Sequence, residues 1–179
     1  MSRKLFVSIH LYLAAFFAPV VIVMAVSGGL YLMDYKGEVT RTHIGHVAGE
    51  KLDANSKTLR VDVLNILATL NVDARVESVR VRGENFYTRP SSGRNYTLRQ
   101  SDTGVNVEEV NPNLQAAMME LHKGHGPAIY KLYEKLFAIA LVLIMLSGLY
   151  LGWMSPLYKR KMLLLSGAGI VVFVLTILV

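Results

Sequence analysis

The chain has 179 residues, 53% of them hydrophobic, and a formal charge of +6. It contains no cysteine, which excludes structural disulfides, thiolate metal sites, covalently attached c-type haem and cysteine-held iron–sulfur clusters. In a soluble protein the basic balance would suggest nucleic acid. Here three long apolar runs make the basic residues a matter of membrane topology, and no nucleic-acid partner is expected.

The first run, Leu5 to Met33, holds no Asp, Glu, Lys or Arg. At 1.5 Å of rise per residue, roughly 20 helical residues cross a hydrocarbon core of about 30 Å, so this run is long enough to span with tilt. It is too long for a signal peptide, although Ser27-Gly28-Gly29 resembles the small-residue end of one. Residues 1–33 therefore read as an N-terminus and a first span. Pro19 removes one helix hydrogen bond and is expected to kink that span. The motif SGGLYL at 27–32 returns as SGLYLGW at 147–153. Small residues there let another helix backbone, or a flat cofactor, come close.

Residues 34–127 form the segment between the first two spans. Asp34 to Asn55 shows little periodicity and carries His43 and His46 in THIGH. Leu59, Val63, Ile66, Leu67 and Leu70 recur at helical spacing, with Asn55 or Ser56 as cap. Four alternating runs follow, Val76–Arg82, Phe86–Arg89, Arg94–Arg99 and Val105–Val110, separated by turn residues. This predicts one helix and an antiparallel meander, with Val79, Val81, Tyr96 and Leu98 facing the helix. A further helix is expected over Asn113–Lys123. Gly124, Gly126 and Pro127 end it, so His122 and His125 stand either side of a glycine hinge just outside the membrane. Residues 128–154 and 162–179 read as the second and third spans, joined by 155–161. The fold class is thus membrane α-helical: three transmembrane helices with a small α+β domain between spans one and two. Arg3-Lys4 and Lys159-Arg160-Lys161 mark the cytoplasmic side by the positive-inside rule, which puts the α+β domain outside the cytoplasm.

Five histidines carry whatever chemistry the chain has: His10, His43, His46, His122 and His125. A histidine inside an apolar span is expensive unless it has a task. His10 has three readings: hydrogen-bonded to a neighbouring helix, snorkelling to the interface, or an axial ligand of haem b, which is apolar and needs an imidazole or thioether. One such histidine leaves an axial position to fill. A twofold homodimer fills it with the second copy of His10, and Met154 is the alternative within the chain. His43, His46, His122 and His125 are candidates for an outer haem or a metal ion, although both HxxH segments contain glycine where a helix would have to continue. Arg80, Arg82, Arg89, Arg94 and Arg99 occupy outward positions of the meander. They suit an anionic ferric chelate, lipid head groups, or simply solvent.

His10 in IHLYLAAFFAPVVIVMAVSGGLYL, together with LHKGHGPAIYKLYEKLFAIALVLIMLSGLYLGW from Leu121 to Trp153, resembles the PepSY-associated transmembrane family. The helix and meander between them resemble its small PepSY-like domain. Larger members are inner-membrane haem proteins that reduce ferric siderophores, and small VciB-like members assist iron uptake. The resemblance carries His10 and His122 over as haem-ligand candidates, with His125 and Met154 beside them. It implies a haem b-containing electron-transfer protein of the bacterial inner membrane, N-terminus cytoplasmic, reducing ferric iron or a ferric chelate in the periplasm. Larger members have more spans and membrane histidines, so a short chain points to a homodimer. No dinucleotide fingerprint follows a strand, so electrons are expected from quinol or a cytoplasmic reductant. The alternative is a non-enzymatic accessory protein of a metal-uptake system. A third reading, regulation of a peptidase, rests on fold analogy.

Overall fold

The computed structural model describes residues 3–178; Met1, Ser2 and Val179, the last residue of the third apolar run, lie outside them. In chain order the elements are α1 (Arg3–Leu32), β1 (Val39–Ala48), α2 (Leu59–Thr69), β2 (Ser78–Arg82), β3 (Asn85–Arg89), β4 (Asn95–Ser101), β5 (Gly104–Pro112), α3 (Leu114–His122), α4 (Ala128–Trp153) and α5 (Lys159–Leu178). The chain divides into two compact units: Met1–Val20 with Lys135–Val179, and Val21–Glu134.

The first unit is helical. Phe6 meets Tyr150 with ring centroids 5.2 Å apart, His10 meets Ser147, and Phe17 meets Phe137 at 5.9 Å. Numbers rise along α1 as they fall along α4, so the two helices pack antiparallel here. Phe17, Val20, Phe137 and Ala140 are buried between them. α1 continues through Pro19 as helix. α5 begins at Lys159, so the basic trio forms its first turn, and Lys159 sits 5.6 Å from the Trp153 ring centroid. Three helices, Lys4–Leu32, Ala128–Trp153 and Lys159–Leu178, are long and apolar enough to cross a membrane. Their outward surfaces carry large exposed apolar side chains, among them Phe16, Leu143 and Phe173. Apolar surface on this scale is untenable in water and natural against lipid. The chain is a multi-pass membrane protein.

The second unit contains a five-stranded antiparallel sheet of order β1-β5-β4-β3-β2. The predicted meander is β2 to β5, and the predicted helix is α2. Leu59, Val63, Ile66 and Leu67 of α2 pack on Val76, Phe86, Tyr96, Leu98, Val105 and Val107, with Val79 and Val81 at the margin of the same core. Two details differ from expectation. Thr58 is the residue before α2, because Ser56 instead accepts the Thr58 backbone N–H and closes the preceding turn. The segment read as aperiodic holds β1, which pairs with β5 as an edge strand. A register shift between His43 and Gly45 breaks its period-two alternation, and both of its faces are largely exposed, so no hydrophobic stripe marked it.

Side chains alternate across a strand, so the residues between these core positions point to the opposite face. That face is partly covered by α3, with Val110, Ala116 and Met119 buried at the contact. Asn113 caps α3 by accepting the Ala116 N–H at 2.9 Å, and Gly124 at φ +72° ends it.

Candidate functional site

His10 and His122 each stand on a Ser-Gly pair of an apolar helix. In the first unit, His10 Nδ1 lies 2.8 Å from Ser147 Oγ, and a methyl built at Gly148 would sit 3.4 Å from the ring carbon Cε1. In the second unit, His122 Nδ1 lies 3.1 Å from Ser27 Oγ, and a methyl built at Gly28 would sit 3.2 Å from Cε1. The two arrangements use the same atoms in the same order. The repeated motif therefore makes room for an imidazole, where the sequence left helix backbone or flat cofactor open.

The protonation of each ring follows from counting hydrogens. A serine hydroxyl has one hydrogen to donate and lone pairs to accept. Ser27 Oγ donates to the Met24 carbonyl at 3.2 Å, and Ser147 Oγ donates to the Ile144 carbonyl at 3.0 Å. Where each serine gives its hydrogen to that carbonyl, its lone pairs accept from the histidine, which puts the ring proton on Nδ1. In the neutral imidazole the lone pair falls on Nε2. Ser27 is buried, 1% exposed, while the His122 ring is otherwise open and His10 is half-buried. A nitrogen lone pair held by a fixed tautomer is what a metal-ligating histidine presents, with its second nitrogen donated to an oxygen. These two side chains thus fit an axial-ligand role.

The remaining candidates are placed differently. His125 lies just past α3 and donates from Nδ1 to Glu120 Oε2 at 2.8 Å, while Arg89 Nη2 approaches its Nε2 at 3.5 Å. Both of its nitrogens are engaged. Glu120 also accepts from Ser91 and Lys123 and pairs with Arg89 at 3.3 Å. Burial pushes the Glu120 carboxyl up, but the hydrogen bonds from Ser91, His125 and Lys123 outweigh it and bring the pKa down to about 2. Arg89 is 15% exposed, and burial lowers its pKa against the pull of Glu120. His122 and His125, three residues apart, therefore serve separate structures. His46 Nδ1 lies 3.0 Å from Asn106 Oδ1, and His43 borders a cavity on the sheet. Met154 closes the last turn of α4, its N–H bonded to the Tyr150 carbonyl, and is 45% exposed. Among the described residues no three histidine or carboxylate side chains converge as a metal site.

The sequence did not reveal Ser27 and Ser147 as partners of the histidines, nor the Glu120 cluster. The only signal for the first was the repeated motif itself. The model of the PepSY-associated TM region matches residues 7–173. The chain belongs to the PepSY-associated TM family. The match takes in His10, both Ser-Gly pairs, the whole sheet domain, His122 and most of α5, beyond the two spans that carried the resemblance in the sequence. No curated protein and no solved structure matches the chain.

Proposed function

We propose that this member of the PepSY-associated TM family is a haem b-containing electron-transfer protein. It passes electrons across a bacterial inner membrane to ferric iron or a ferric chelate on the periplasmic side, in support of iron uptake. The observation that carries this reading is the pair of histidines with Nδ1 at hydrogen-bond distance from a serine hydroxyl, an arrangement that leaves Nε2 for a ligand role. His10 and His122 would each hold a haem, which supplies a one-electron iron couple when bound. Ser147 and Ser27 hold the Nδ1 protons, and Gly148 and Gly28 let the rings lie against the helices. Each unit supplies one histidine to its Ser-Gly pair, so a second copy of the chain would contribute a further histidine to hold each haem. By the positive-inside rule, Lys4 and the trio Lys159-Arg160-Lys161 support a cytoplasmic N-terminus with the sheet domain on the other side of the membrane. Electrons enter from quinol or a cytoplasmic reductant.

The test is a visible spectrum of the detergent-purified protein before and after dithionite, with haem and protein quantified. The expected result is reduced low-spin haem b, lost in part in His10→Ala and in part in His122→Ala. A protein that stays colourless after expression with ample haem overturns the proposal. It would favour the accessory-protein reading, in which the sheet domain serves a metal-uptake partner.

A further inference from the structure

The sheet face opposite α2 carries a second constellation. The register aligns Arg80 with Tyr87, Tyr87 with Thr97, Thr97 with Glu108 and Glu108 with His43, one residue from each of the five strands. The neighbouring row aligns Arg82 with Asn85, Asn85 with Arg99 and Arg99 with Asn106. Two cavities of about 580 and 440 Å³ open on this face, and Arg41, Tyr87 and Thr97 line both. Arg41 is paired with Glu108 and Arg89 with Glu120. Arg80, Arg82 and Arg99 have no carboxylate partner among the described residues, so the face keeps an excess of guanidinium charge. At its centre Thr97 is 6% exposed, and its Oγ1 is buried with no hydrogen-bond partner.

A buried hydroxyl without a partner is uncommon and calls for a ligand that supplies one. Guanidinium groups bind anionic oxygens in pairs through their planar forks, and they keep their charge throughout the physiological range. The larger cavity has the size of a small-molecule site. We propose that this face binds a small polycarboxylate chelate of a trivalent metal. The carboxylate oxygens are taken by Arg80 and Arg82, and the Thr97 hydroxyl donates to one of them. The ferric content of the ligand rests on the function proposed above; its anionic character stands on the sheet face alone.

The test is calorimetric titration of the full chain, in nanodiscs of zwitterionic lipid, with gallium(III) citrate, a redox-silent probe. Binding is expected, weakened at least about tenfold in Arg80→Gln/Arg82→Gln, weakened also in Thr97→Val, and reduced as salt rises. Arg80 and Arg82 are exposed, so their replacement leaves the core intact, which circular dichroism verifies. Gallium citrate binding should persist in His122→Ala, so that loss of the haem reading and loss of this one are told apart. No binding of gallium citrate, or equal binding in the double variant, overturns the proposal. So does a response only to inorganic phosphate or to discs of anionic lipid, which would make the face a phosphate or head-group site.

Discussion

Three of the four glycines in the two repeated motifs, Gly28 and Gly29 after Ser27 and Gly148 after Ser147, look equivalent in the sequence, yet the structure separates them. A methyl at Gly28 would stand 3.2 Å from His122 Cε1, one at Gly148 would stand 3.4 Å from His10 Cε1, and one at Gly29 would meet nothing within 4 Å. Carbon atoms pack best at about 3.5–4.0 Å, so Gly28→Ala forces the His122 ring back by about 0.3 Å. The ring retreats from α1, the helix that also carries Ser27 Oγ. The Nδ1–Oγ distance of 3.1 Å then grows to about 3.4 Å, beyond the usual range for such a bond. The lost bond costs about 1 kcal/mol. Replacing a helical glycine by alanine returns about the same amount. Thermal stability should therefore scarcely change, while His122 loses its fixed tautomer by about fivefold in population. Gly148→Ala and Gly29→Ala should leave both rings as they are. The assay is ¹⁵N NMR of the histidine ring nitrogens in protein prepared without haem. Identical His122 signals in Gly28→Ala and Gly29→Ala would refute the assignment of Gly28 as the seat of the ring.

The Glu120 cluster predicts acid sensitivity. Its folded pKa of about 2 lies below the ordinary 4.5, so the stabilisation is fully present above pH 4.5 and is lost as pH falls from there toward 2. The shift corresponds to about 3 kcal/mol. Glu120→Gln should flatten this acid limb and lower stability at neutral pH, since Arg89 and His125 lose the carboxylate charge and one of its two acceptor oxygens. Chemical unfolding across that pH range measures both effects, and an acid limb unchanged in the variant would rule out Glu120 as its source. Gly37 has φ +78°, and a methyl there would collide with the backbone at Ala116 and come within 2.9 Å of the Asn113 capping oxygen. Gly49 has φ +77° with open space around it. Both Gly→Ala changes should cost about 1–3 kcal/mol of backbone strain, and only Gly37→Ala should add the disruption of α3, so it should melt lower than Gly49→Ala.

Much of this architecture was legible because its signals are local. Charge-free runs declare the spans, helical spacing of Leu59, Val63, Ile66 and Leu67 declares α2, and turn residues punctuate β2 to β5. β1 was not legible because the shift between His43 and Gly45 spoils its alternation, and because an edge strand exposed on both faces has no apolar stripe. The site was legible only in halves. His10 and His122 drew notice as histidines, and Ser27-Gly28 and Ser147-Gly148 as a repeat. Their pairing joins residues 137 and 95 positions apart, which no local period encodes. Thr97 offered no signal at all: its neighbours in the register come from strands β3 and β5, and its want of a partner is visible only once they are in place.

The order of these groups along the chain repeats itself. A histidine, an apolar helix and a trailing Ser-Gly occur as His10, α1 and Ser27-Gly28, then as His122, α4 and Ser147-Gly148. Each histidine docks on the Ser-Gly of the other set. The choice of serine follows from the apolar surroundings. An imidazole N–H placed against an apolar helix needs an acceptor, and the helix carbonyls are already bonded within the helix. A serine hydroxyl that donates to the carbonyl three residues back keeps the helix intact and satisfies its own hydrogen. Its lone pairs then face outward as the acceptor the helix otherwise lacks. The following glycine removes the side chain that would hold the ring away from that oxygen. Alanine for serine would leave the imidazole with a donor and no acceptor. Aspartate would add a charge in a place where charge is costly. Serine followed by glycine thus supplies a neutral acceptor and the space to reach it, on both helices.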